Sequence, residues 1–169
     1  FIAGGEWLVT NKYTNPQKLA IQGGSNGGLL MGAMLTQRPD LFKAVICQVP
    51  LLDMLRYDKF LIARLWIPEY GSASDAAQFK WLYAYSPYHK VKEGTPYPAT
   101  FITTGVQDSR VDPINAYKIA ALLQKANSGP NPILLRIEPK AGHGAGKPIS
   151  KILNEQTDIW AILIWQLGV

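Results

Sequence analysis

One cysteine, Cys47, stands in the whole chain of 169 residues. It cannot close a disulfide within the chain, and with only two histidines beside it the usual ligands of a zinc site are missing. No metal is expected, and Cys47, inside the apolar run AVICQV, reads as a buried structural thiol. No stretch reaches the roughly eighteen consecutive apolar residues of a membrane-spanning helix. The opening FIAGGEWLVTNKY also lacks the basic region and cleavage signal of a secretory leader. No membrane partner is expected, and the expected location is cytoplasmic. The formal charge of +5 is scattered, without a block of like charges, which argues against nucleic acid as a partner. A dinucleotide loop would need G-x-G-x-x-G after the first strand and an acid about 20 residues on, so no cofactor is expected. Repeats and low-complexity tracts are missing too. What is left is ordinary globular composition, 47% hydrophobic and 17% charged, at a length suited to a single domain, 1–169.

Along that domain, short β-branched runs alternate with stretches of helical period. Strands are predicted at KLAIQ (18–22), AVICQV (44–49), ATFITT (99–104) and ILLRIE (133–138). Helices are predicted over about 2–12, after Ser25 and stopping before Pro39, from Pro113 to about Ala126, and over about 150–167. Asp112 before Pro113 is a plausible N-cap. Strands joined through single helices imply about four parallel strands with helices on both faces. Residues 50–98 break the rhythm as an aromatic-rich, helical insertion.

The segment GGSNGG, residues 23–28, lies where KLAIQ must turn into the helix LLMGAML. It contains G-x-S-x-G. A nucleophile elbow needs a strained strand-to-helix turn with small residues around the serine, so that neighbouring backbones approach and the hydroxyl projects above the sheet. The helix start behind Ser25 would aim the backbone N–H of Asn26 at a developing oxyanion. A Gly-rich turn with an incidental serine, or a phosphate-cradling loop, fits the motif alone equally well.

A serine nucleophile needs a base. His143 lies in KAGHGAGKP, directly after the fourth strand, where a loop can face the elbow; His89, in YSPYHKV, reads as surface or structural. Asp108 in TTGVQDSRVDP follows the third strand, and its competitor Asp112 has the capping role. The order Ser25, Asp108, His143, each beyond a strand's carboxyl end, is that of α/β-hydrolases.

GGSNGG, QRPDLFKAVICQV, DMLRYDKF, YSPYHKV, DSRVDP and GHGAGKP together resemble the carboxyl-terminal part of the catalytic domain of prolyl oligopeptidase family serine peptidases, across nearly all 169 residues. The resemblance implies a truncated, partial α/β-hydrolase fold with Ser25 as nucleophile, Asp108 as orienting acid and His143 as general base. It also implies that Trp66 stacks on the substrate proline ring, that Tyr70 and Val111 help line that pocket, and that Arg110 anchors the peptide carbonyl upstream. A flat indole suits a flat apolar ring, and a guanidinium offers fixed donors. In the family a tyrosine hydroxyl from an earlier segment is the second oxyanion donor, and a β-propeller excludes large substrates. Neither has a counterpart in these residues. The expected function is hydrolysis after proline in short peptides. Short-chain carboxylic esters are the close alternative, and a non-catalytic fragment or interaction module is the alternative of another class. The strand at 18–22, unpaired on one side, is expected to be covered by a second copy of the chain or a complementary fragment.

Overall fold

The β-branched runs form one parallel sheet in the computed structural model, which describes residues 1–144 and 146–169. In chain order the elements are α1 (Ile2–Thr10), β1 (Ala20–Gly24), α2 (Asn26–Gln37), β2 (Ala44–Gln48), α3 (Ile67–Tyr70), α4 (Ala76–Tyr85), α5 (Pro87–Lys90), β3 (Ala99–Gly105), α6 (Ile114–Ala126), β4 (Ile133–Glu138) and α7 (Ile149–Leu167). Neighbours in sequence are neighbours in the sheet, in the order β1-β2-β3-β4, and every pair is parallel.

The alternation of side chains along each strand decides which helix packs where. Val45, Cys47 and Ile102 join Met31 and Leu35 of α2 and Ile119 and Leu123 of α6 in the main core. Ile46 and Phe101 turn to the other face and meet Ile159 of α7. Covered on both sides, β3 is buried along its whole length, as its unbroken apolar and threonine run allows. A third cluster, built on Leu29, Met54, Tyr57 and Leu82, joins the segment between β2 and β3 to the start of α2.

Two segments depart from the prediction. The first strand begins at Ala20 rather than at residue 18, because Pro16 opens a 3-10 turn over Pro16–Lys18. Asn15 holds that turn by accepting from the amide of Gln17 at 2.9 Å. The strand then runs on through Gly23 and Gly24, which pair with Cys47 and Gln48. The run LDMLRYDKFLIARLWIPEYG, predicted helical, instead forms 3-10 turns at Tyr57–Lys59 and Ala63–Trp66 and the short α3. Its first amides are claimed from outside. Those of Leu52 and Asp53 donate to Asn115 Oδ1, and that of Met54 donates to Ser86 Oγ. Leu61 is left-handed at φ 49°, and Pro68 brings no N–H, so a continuous helix has no way through.

Because all four strands point the same way, their carboxyl ends lie together. The loops that leave β1, β3 and β4 there carry Ser25, Asp108 and His143.

Candidate active site

The turn from β1 into α2 is sharp enough to strain its central residue. Ser25 has φ 60° and ψ −118°, a conformation that a residue with a side chain adopts only where the surroundings enforce it. They do so on both flanks. The Ser25 amide donates to the carbonyl of Gln48 at 2.9 Å, extending the β1–β2 ladder into the turn. On the other side the backbone of α2 comes so close that a Cβ at Gly23 would lie 2.5 Å from the Gly27 carbonyl oxygen. Asn26 follows as the first residue of α2, so its N–H is among those a helix start leaves without an intrahelical acceptor.

Ser25 Oγ lies 2.8 Å from His143 Nε2, and His143 Nδ1 lies 2.7 Å from Asp108 Oδ2. The direction of these bonds follows from Asp108. Its carboxylate is fully buried, and its other oxygen accepts from the amides of Arg110 and Val111, each at 2.9 Å. An ionised carboxylate only accepts, so the imidazole proton sits on Nδ1 and the lone pair of Nε2 faces the serine hydroxyl. Such a chain can take a proton from Ser25 Oγ. The two acids after β3 thereby separate in role: Asp112 Oδ1 accepts from the amide of Ile114 at the start of α6, away from the imidazole.

Ser25 and Asn26 also border a cleft of about 160 Å³, walled by Trp66, Tyr70, Arg110 and Val111. Val111 is buried, Trp66 half-buried and Arg110 exposed at the rim. Tyr70 Oη donates to Asn26 Oδ1 at 2.9 Å, tying α3 to the first residue of α2. Tyr57 supports it edge-on, with ring centroids 5.5 Å apart, and donates to the Gly71 carbonyl at 2.5 Å. Burial, helped by the negative charge of Glu69, pushes the Tyr70 phenol up to about 12, so it stays a donor at neutral pH.

The structure therefore gathers all eight residues singled out in the sequence at one end of the sheet. It adds Leu51 and Glu69 to the wall of the cleft. Leu51 follows the carboxyl end of β2, a position readable from topology, whereas nothing local marks Glu69. His89 is elsewhere, with Nδ1 2.8 Å from Ser86 Oγ and Nε2 near the buried Asp53. Cys47 is buried beneath the elbow. Its thiol donates to the Gly28 carbonyl at 3.3 Å, and desolvation pushes it up to about 12.

The model of the prolyl oligopeptidase family matches residues 1–169. The prolyl endopeptidase of Elizabethkingia meningoseptica is 45% identical over 170 residues, covering 100% of this chain and 24% of its own length. That of Dictyostelium discoideum is 44% identical over 163 residues, or 95% of this chain and 21% of its own. Among solved structures, one from a study of two prolyl endopeptidases superposes with a TM-score of 0.97 at 50% identity, covering 100% of this chain and 25% of that one. Prolyl oligopeptidase B from Galerina marginata, bound to a 35-mer hydrolysis and macrocyclization substrate, gives 0.93 at 38% identity, covering 99% of this chain and 24% of that one. The chain thus spans about a quarter of the length of these relatives, and its four parallel strands with flanking helices are an α/β-hydrolase sheet.

Proposed function

The chain belongs to the prolyl oligopeptidase family, and from that premise we propose that it carries the catalytic triad of a serine peptidase that cleaves after proline in short peptides. The observation that carries this reading is the hydrogen-bonded series from buried Asp108 through His143 to the strained Ser25. His143 Nε2 takes the proton of Ser25 as Oγ attacks the substrate carbonyl. The tetrahedral oxyanion that results meets the N–H of Asn26, with the positive end of α2 behind it. Collapse breaks the peptide C–N bond, and His143 returns its proton to the departing amine. Water then repeats the sequence on the acyl-enzyme, again with His143 as base. Asp108 keeps the imidazole in the accepting tautomer throughout.

The wall of the cleft supports proline as the residue at the cleaved bond. The Trp66 indole and Val111 offer apolar surface to the ring, while Arg110 at the rim offers guanidinium donors to the carbonyl upstream. Short acyl esters are the second reading, favoured by the one backbone donor that the elbow directs from Asn26, because an activated ester asks less oxyanion stabilisation than an amide. A fluorophosphonate probe tests the shared chemistry: it is expected to label the chain once, on Ser25, and Ser25→Ala is expected to abolish labelling. Labelling that persists in the variant refutes the assignment. Wild-type hydrolysis of acyl esters without turnover of blocked prolyl anilides decides for the second reading.

A further inference from the structure

His143 stands between Gly142 and Gly144, which leave its backbone little stiffness. Of residues 142–147, GHGAGK, three are glycines, and Gly144 and Gly146 hold positive φ with open space where a Cβ would stand. The loop is pinned before the histidine by the Gln107 amide, which donates to the Ala141 carbonyl at 3.0 Å. After the histidine, Lys147 donates through Nζ to Glu155 Oε2, and among the described residues this is the side-chain link that fastens the loop's far end to the body of the fold.

Glu155 is well placed to be an anchor. It projects from α7, is buried, and its Oε1 accepts from Thr103 Oγ1 of β3 at 2.9 Å and from Gln48 Nε2 of β2 at 3.2 Å. The Gln48 side-chain carbonyl in turn accepts from Gln22 Nε2 of β1 at 2.9 Å. One carboxylate thus joins α7 and the carboxyl ends of two strands directly, a third through Gln48, and the loop through Lys147. His143 also borders a cleft of about 180 Å³ that it shares with Gln48, Val49, Gly144, Lys147 and Glu155, so the ring is not packed in on every side. The glycines supply the freedom and the cleft the space, so alignment depends on the two pins and on Asp108.

We infer that Lys147 and Glu155 are positioning residues that hold the His143 loop so that Nε2 stays in line with Ser25 Oγ. The inference rests on the triad reading above. Neither residue touches substrate. Both charges are largely shielded from water, at 12% and 9% side-chain exposure, so the pair is little screened by salt, and removing one partner leaves the other charge buried and uncompensated.

The test follows fluorophosphonate labelling of Ser25 in time, in wild type, Lys147→Met, Lys147→Arg and the double variant Lys147→Met/Glu155→Gln. Lys147→Met leaves Glu155 bonded to Thr103 and Gln48, and the double variant leaves no orphaned charge. A base displaced by about 1 Å slows reaction by about 100-fold, so Lys147→Met and the double variant should label one to two orders of magnitude more slowly yet reach full labelling. Lys147→Arg, which keeps the charge, should recover most of the rate. A purely structural role predicts the opposite signature, a reduced labelled fraction at an unchanged rate constant. That outcome, or wild-type rates in variants that melt like wild type, overturns the inference and leaves the triad reading intact. Failure of the wild type itself to label overturns the triad reading, and the inference falls with it.

Discussion

Replacing Asp108 with asparagine changes one atom of the site, and the structure dictates which way the new amide must face. Asp108 Oδ1 accepts from the amides of Arg110 and Val111, so the asparagine carbonyl oxygen has to take that place. Turned the other way, its NH₂ would confront two N–H groups in a fully buried position, leaving them unsatisfied. The NH₂ therefore faces His143 Nδ1, which must give up its proton in order to accept. The proton moves to Nε2, and the imidazole now donates to Ser25 Oγ where it previously accepted. The distances survive and the base is lost. Presenting the wrong tautomer costs about 10⁴-fold in turnover, equivalent to about 5.4 kcal/mol in the barrier. Stability should change little, by about 1–2 kcal/mol, because both amide bonds to the oxygen persist with the charge removed. The assay compares labelling rate constants and ester turnover of wild type and Asp108→Asn, with thermal melting as the control. A variant that reacts within about tenfold of wild type would refute the tautomer argument.

Trp66→Ala is expected to lower selection for proline over alanine in blocked chromogenic substrates by about 2- to 12-fold, the worth of an aromatic contact beyond its buried area; unchanged selectivity returns Trp66 to a packing role. Burial pushes the Glu155 carboxyl up, but Lys147, Thr103 and Gln48 more than offset this and hold it below its ordinary 4.5. A carboxyl depressed on folding stabilises the fold above its unfolded value, and that stability is lost as pH falls through the folded one. Urea midpoints between about pH 6 and pH 3 should therefore fall less steeply in Lys147→Met/Glu155→Gln than in wild type, and parallel curves would contradict the sign. The outer edge of β1, at the margin of the sheet formed by the described residues, is proposed to pair with a second copy of the chain or with a complementary fragment. Light scattering is expected to read a mass above that of one chain, and a monomer at high micromolar concentration with no second polypeptide on a denaturing gel would overturn the proposal.

That a tight turn follows β1 was legible because strain has a composition, and the order of Asp108 and His143 beyond it made that turn an elbow. A turn with φ 60° at Ser25 and the α2 backbone pressed against Gly23 tolerates few residues besides glycine around it, so GGSNGG marks a tight turn. The places of Asp108 and His143 were legible because a parallel sheet puts every post-strand loop at one end. The 3-10 turn at Pro16 shifted β1 because a proline signal outweighed an apolar run. The helical reading of residues 52–71 failed because the amides of Leu52, Asp53 and Met54 are satisfied by Asn115 and Ser86, partners 32 to 63 residues distant. Glu155 left no trace for the same reason. Its bonds to Gln48 and Thr103 span 107 and 52 residues, and a polar side chain at helical spacing reads as surface until the fold brings the strand ends beneath it.

The separation of 118 residues between Ser25 and His143 bears on how the molecule comes into being. Synthesis proceeds from the amino terminus, so the elbow leaves the ribosome long before the histidine that would activate it. Parallel pairing between distant segments is slow to form, and β4, which leads into the histidine loop, is the last strand in the chain and an edge of the sheet. Until it docks, Ser25 lacks its hydrogen-bond partner His143, the base of the proposed reaction. On the proposed triad reading, nascent and partly folded chains are chemically silent, and the hydroxyl gains its reactivity only once all four strands have found their places.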